Sequence, residues 1–166
     1  LPKELDVSNQ IIDIIYIEDD LVLKTGVVEN QNKSKKLAYV SFGLDDGAVL
    51  MHNQFPKISS VVIGSVINVF FEEGSHSPIR WKRSDQSLID GLLQEFTGTL
   101  EQVPEKDFGF IRTASKESVF VPPQLMHQMI DKVKTNVTVR AILTIDKSKG
   151  KEGWKALCNI ENICEF

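Results

Sequence analysis

Two short runs carry the residues of this chain best suited to chemistry: Lys106-Asp107-Phe108-Gly109-Phe110-Ile111-Arg112 and Ser118-Val119-Phe120-Val121. Both are β-rich, and side chains in a strand alternate faces. Phe108, Phe110 and Arg112 therefore share one face, with Gly109 and Ile111 on the other. Phe120 shares its face with Ser118, while Val119 and Val121 lie opposite. The arginine and the serine mark the solvent side. Three phenylalanines are thus expected outside a small sheet whose interior is Gly, Ile and Val. Large apolar side chains grouped in the open ask for a ligand. The chemistry on offer is non-covalent: ring faces for a flat partner, with Lys106 and Arg112 beside them for anionic groups or stacking.

Bond-making chemistry has no comparable footing. The sequence holds no phosphate-cradling glycine loop, no metal-ligand triad and no Ser or Cys in a nucleophile motif. No catalytic residue, metal or cofactor is expected. Cys158 and Cys164 sit near the end, with no second pair and no histidine at metal spacing. They read as reduced thiols, and Cys158 is expected on the strand face of Trp154 and Ala156, in a core role.

With 166 residues, 42% hydrophobic and 25% charged, the chain is long and apolar enough for one medium domain or two small ones. No run approaches the ~20 apolar residues that span a bilayer, and Leu1-Pro2-Lys3-Glu4 lacks the regions of a signal peptide. No membrane partner and a cytoplasmic location are expected. The absence of an initiating Met suggests a piece of a longer protein. A net charge of −4 opposes strong phosphate binding, but it is unevenly spread. Residues 1–93 hold 9 Lys/Arg against 13 Asp/Glu, whereas 98–158 hold 10 against 7. Only the second half has the sign that nucleic acid prefers.

Phe108-Gly109-Phe110-Ile111 followed by Val119-Phe120-Val121 resembles the paired ligand-contacting strands of the cold-shock domain, a five-stranded OB-fold barrel that binds single-stranded RNA or DNA. Residues 96–160 follow the pattern, with Gly98-Thr99-Leu100 opening a first strand. Val137 to Ala141 and Gly153-Trp154-Lys155-Ala156 close the barrel. The family places a Trp on the first strand, where this chain has Gln102 or Val103, and a His after Val-Phe-Val, where it has Pro122.

Residues 21–83 read as a degenerate copy of the second half. Lys24 to Glu29 answers Phe96 to Glu101; Leu37-Ala38-Tyr39-Val40 answers Phe108 to Ile111; Ala48-Val49-Leu50-Met51 answers Ser118 to Val121. Val66 to Phe70 and Ile79 to Lys82 answer the last two strands, which places Trp81 and Trp154 at equivalent positions. A repeat of roughly 70 residues is one OB-type barrel. The expected fold is mainly β: two tandem five-stranded OB-fold (cold-shock-like) barrels joined by a short helical linker. Residues 1–20 form an N-terminal arm or strand, 21–83 the degenerate barrel, 84–95 a linker helix, and 96–166 the second barrel. Leu88, Ile89, Leu92 and Leu93 recur at helical spacing in the linker, and Leu125, Met129, Ile130 and Val133 do so over 122–134. The latter helix would plug the second barrel.

In the first copy Tyr39 faces outward and His52 follows Val49-Leu50-Met51 as the family's His does, while Leu37 and Leu50 replace the other stacking positions. Lys33, Lys35 and Lys36 form one basic loop patch; Lys147, Lys149 and Lys151 form another. The resemblance implies a nonenzymatic module binding single-stranded RNA or DNA, RNA foremost, with Phe108, Phe110, Phe120, Lys106, Arg112, Tyr39 and His52 as its contacts. The alternatives are a protein-interaction module of a longer protein, its barrels docking other domains, or the accessory part of a nuclease or helicase.

Overall fold

The computed structural model describes residues 21–146 and 150–160. The expected arm at 1–20, Cys164, Lys147 and Lys149 lie outside the described residues. Ten strands form two five-stranded units. The first contains β1 (Val22–Asn32), β2 (Leu37–Gly43), β3 (Asp46–Met51), β4 (Val66–Phe71) and β5 (Pro78–Arg83). The second contains β6 (Leu93–Gln102), β7 (Gly109–Thr113), β8 (Ser118–Val121), β9 (Asn136–Asp146) and β10 (Lys151–Asn159), with helix α1 (Pro123–Gln128) after β8. No helix among the described residues is long and apolar enough to cross a membrane.

The two units share one strand order. The first runs β3-β2-β1-β4-β5; the second runs β8-β7-β6-β9-β10 and closes into a barrel through a parallel β8–β10 pair. In the first unit β3 and β5 touch without forming a ladder, so it is a half-barrel. This is a mainly β, tandem OB-type architecture.

Period-2 alternation sets each interior. In the second unit Leu100, Ile111, Val119, Val121, Val137, Val139 and Ala156 fill the barrel. Leu125, Met126 and Met129 close its end, as expected of a plug. Pro at the first turn of α1 costs no hydrogen bond, because that N–H would be unpaired anyway. The helix is shorter than 122–134: it yields at Met129 to a 3-10 turn over Ile130–Lys132. In the first unit a 3-10 turn at Pro56–Ser60 takes the same place, with Ile58 fully buried.

Where alternation fails, the units meet. Val27 and Val28 are both fully buried, one on each face of β1. Val28 belongs to the first core, whereas Val27 joins Val66, Leu92, Leu93 and Ile142 in a separate cluster that spans the units. Arg140, 8% exposed, crosses the same seam and donates from Nη1 to the Gly64 carbonyl at 3.2 Å. Its Nε lies 3.5 Å from Glu95 Oε2 and makes no hydrogen bond there, so that contact is purely electrostatic.

Three expectations need correction. The linker is not a helix: Gly91 takes φ +79°, Leu92 and Leu93 N–H both donate to the Ile89 carbonyl, and Leu93 already begins β6. The apolar spacing read as a helical stripe serves a turn whose Leu92 and Leu93 insert into the seam. Few residues remain for a helix, and so short an isolated one is marginal. Trp81 and Trp154 are not equivalent. Trp81 pairs with Val69, whose counterpart Val139 pairs with Asn159; Trp154 pairs with Leu143, further out on a longer β9–β10 hairpin. The third concerns Cys158, which is buried but pairs with Arg140 after a bulge at Ala156/Cys158. The bulge turns it from the Trp154 face to the Arg140 side.

Candidate nucleic-acid interface

The outward face of the second barrel is built by register. Glu101 on β6 stands opposite Phe110 on β7, Phe110 opposite Phe120 on β8, and Phe120 beside Lys155 on the parallel β10. One rung thus reads acid, ring, ring, base across four strands. The neighbouring rung is Thr99, Arg112 and Ser118. Inward of both lie Gly109, Ile111, Val119 and Val121, all buried.

Gly109 makes the platform possible. A Cβ there would collide with the Glu101 carbonyl and come within 2.7 Å of Met126 Sδ. Its absence lets β7 lie close on β6 and on the plug helix, while the flanking Phe108 and Phe110 are turned outward.

The three rings touch one another. Centroids are 6.2 Å apart for Phe108–Phe110, 5.6 Å for Phe108–Phe120 and 5.7 Å for Phe110–Phe120, with tilted or edge-on planes. Phe110 is 36% exposed, and Phe108 and Phe120 are half-buried. Beside them opens a groove of about 640 Å³, walled on its far side by the β9–β10 hairpin through Thr144, Lys151, Glu152, Gly153, Trp154 and Lys155. An apolar floor of ring faces and edges with a lysine-bearing wall fits a flat, anionic-backboned chain.

The charges around the floor are partly committed. Arg112 Nη2 lies 3.1 Å from Glu101 Oε1, with its side chain still 73% exposed. Lys155 Nζ lies 3.3 Å from Glu29 Oε2, which belongs to the first unit. Lys106 is exposed in the β6–β7 turn, where its carbonyl accepts from Gln102 Nε2, and it does not line the groove. The residue beside Phe110 on the first strand of the barrel is Glu101, so that edge of the platform carries a carboxylate.

The first unit brings no ring cluster to match. Tyr39 does face outward, opposite Val49. Burial, together with the nearby carboxylates of Glu29 and Asp46, raises its pKa above 10.0 and holds the phenol neutral. Its neighbour in the Phe120 position is Val49, because Ala38 and Tyr39 pair with Leu50 and Val49 just as Gly109 and Phe110 pair with Val121 and Phe120. The repeat was therefore aligned one residue out on β3, and Leu50, expected outward, is fully buried. His52 moves with this shift. It follows the outward series by one residue, and its Nε2 lies 2.9 Å from Gln31 Oε1, while Gln31 Nε2 donates to the Ile58 and Val61 carbonyls. His52 braces the plug turn of the first unit and is not grouped with the rings.

Of the groove-lining residues, Lys151 belongs to the basic patch read from the sequence, whereas no sequence pattern assigns Ser118, Thr144, Gly153 and Lys155 as contacts. Lys155 is found only by pairing β10 with β8.

No curated protein sequence matches the chain. Among solved structures, a multidomain protein with nucleic acid binding domains from Streptococcus pneumoniae TIGR4 aligns with 81% of this chain and 50% of its own, at 10% identity and TM-score 0.27. Yeast Ssd1, described as a pseudonuclease, aligns with 92% of this chain and 24% of its own, at 14% identity and TM-score 0.30. The chain therefore spans about half the length of the first and about a quarter of the second. Residues 94–158, the strands that carry the ring platform, match the family model of the S1/CSD-like domain 2 of the TOTE conflict systems, which supports a cold-shock-like domain there.

Proposed function

We propose that the chain is a nonenzymatic module that binds single-stranded nucleic acid, RNA foremost, by stacking bases on Phe108, Phe110 and Phe120. The observation that carries this is the set of three mutually touching, outward rings at the floor of an open groove. The match of the same residues to an S1/CSD-like family supports it. Base stacking on an aromatic is worth ~1–3 kcal/mol per base. Three such contacts, less the cost of ordering a flexible strand, correspond to micromolar affinity. The first unit is a degenerate copy of the same fold, a reading its identical strand order supports. The module acts in the cytoplasm.

A second reading is a protein-docking module, favoured by the carboxylates of Glu101 and Glu29 on two cations beside the rings, Arg112 and Lys155. The readings separate in fluorescence anisotropy with labelled single-stranded RNA, the same sequence as DNA, and a duplex. Micromolar binding of the single strands with a shallow salt dependence is expected, and none of the duplex. No change in anisotropy at high micromolar protein and low salt would leave docking as the account.

A further inference from the structure

A cation beside the ring pair is held by the other half of the molecule. Lys155 sits beside Phe120 in the parallel β8–β10 ladder and lines the groove, yet its ammonium lies 3.3 Å from Glu29 Oε2 across the seam. Glu29 is put there by structure: β1 bulges between Val28 and Asn30, which inserts Glu29 as an extra residue between two ladder pairs. Both side chains are mostly withdrawn from water, at 32% and 21% exposed, so solvent screens the pair less than an open surface pair. Among the described residues lining the groove the cations are Lys151 and Lys155, which makes the commitment of one of them consequential.

We infer that Glu29 is an affinity-limiting residue: the first unit, by neutralising Lys155, withholds from a bound strand a phosphate partner beside the rings. The inference rests on the proposed stacking of single strands on the second barrel. A phosphate can engage Lys155 only by displacing the Glu29 carboxylate, so the wild-type protein binds mainly through its rings. Nucleic-acid affinity is thereby tied to the seam, since anything that parts Glu29 from Lys155 adds a phosphate contact.

The test is a two-by-two cycle of Glu29→Gln and Lys155→Met, with anisotropy of a labelled single-stranded oligonucleotide read across salt concentrations. Glu29→Gln is expected to tighten binding about three- to fivefold at low salt, the scale of one weakly screened ion pair. It should steepen the log–log salt dependence by about 0.7, the increment for one phosphate on a single strand. In the Lys155→Met background Glu29→Gln should bring no gain in affinity and no change in slope, because the cation it would release is gone. Additive effects, or equal weakening by Lys155→Met in both backgrounds, would overturn the inference while leaving the ring platform intact. If neither wild type nor Glu29→Gln binds at low salt, the stacking reading itself falls and takes the brake with it. Glu29→Asp, shorter by one methylene, gives a second variant should Glu29→Gln disturb the seam, and an intermediate slope is expected from it.

Discussion

Phe110 and Phe120 stand directly opposite each other on β7 and β8, with ring centroids 5.7 Å apart and planes 65° from parallel. The tilt matters: rings stacked face to face would satisfy each other, whereas these leave ring surface open to the groove. Cross-strand aromatic pairs also add stability, roughly 0.2–1 kcal/mol. Phe120, half-buried between Phe108 and Phe110, carries more of that than Phe110. Phe120→Ala should lower stability in urea by about 1 kcal/mol, and Phe110→Ala by less than half of that. Equal losses would mean that Phe110 is a structural residue.

Gly109→Ala should destabilise the second barrel although it adds only a methyl group. The new Cβ would meet the Glu101 carbonyl and Met126 Sδ, and overpacking of this kind costs about 1–3 kcal/mol. Urea unfolding checks it; an unchanged midpoint would show that β7 can shift off β6.

Arg140→Ala should loosen the seam. It removes a buried guanidinium donor from the Gly64 carbonyl, and hydrogen bonds to charged groups are worth about 1.5–3 kcal/mol. Because Glu95 is 37% exposed, little of the ion pair adds to this. Lower stability with a wider small-angle scattering profile is expected, and an unaltered profile with unaltered stability would contradict the role given to Arg140.

Burial pushes the Cys158 thiol up to about 12, against opposing contributions from Arg140. The folded state therefore keeps its proton where the unfolded thiol, near 9.0, has lost it. Stability from this group is complete below pH 9 and falls as pH rises from about 9 toward 12. In a Cys164→Ser variant, thiol-reactive dyes should label Cys158 at pH 8 only after unfolding; rapid labelling of that folded protein would contradict its burial.

How far the sequence reached is best seen strand by strand. On β7 and β8 the polar markers Arg112 and Ser118 settle which face is outside, so the ring platform and its Gly-Ile-Val backing were legible from alternation alone. On β3 no such marker exists: Ala48, Val49, Leu50 and Met51 are all apolar, and a slip of one residue exchanges faces. That slip sent Leu50 outward and drew His52 toward the site. The linker misled because Leu92 and Leu93 are apolar for the seam, a tertiary demand that imitates a helical stripe. Lys155 and Glu29, separated by 126 residues, meet only once both units have folded and docked, and no local pattern announces them.

The most direct measurement is the affinity of Phe108→Ala with Phe110→Ala for a labelled single-stranded RNA, taken beside the melting temperature of the same protein. Loss of detectable binding by a protein that still unfolds cooperatively, its melting temperature lowered by only a few degrees, is predicted. Undiminished affinity in a folded double variant would contradict the stacking platform outright.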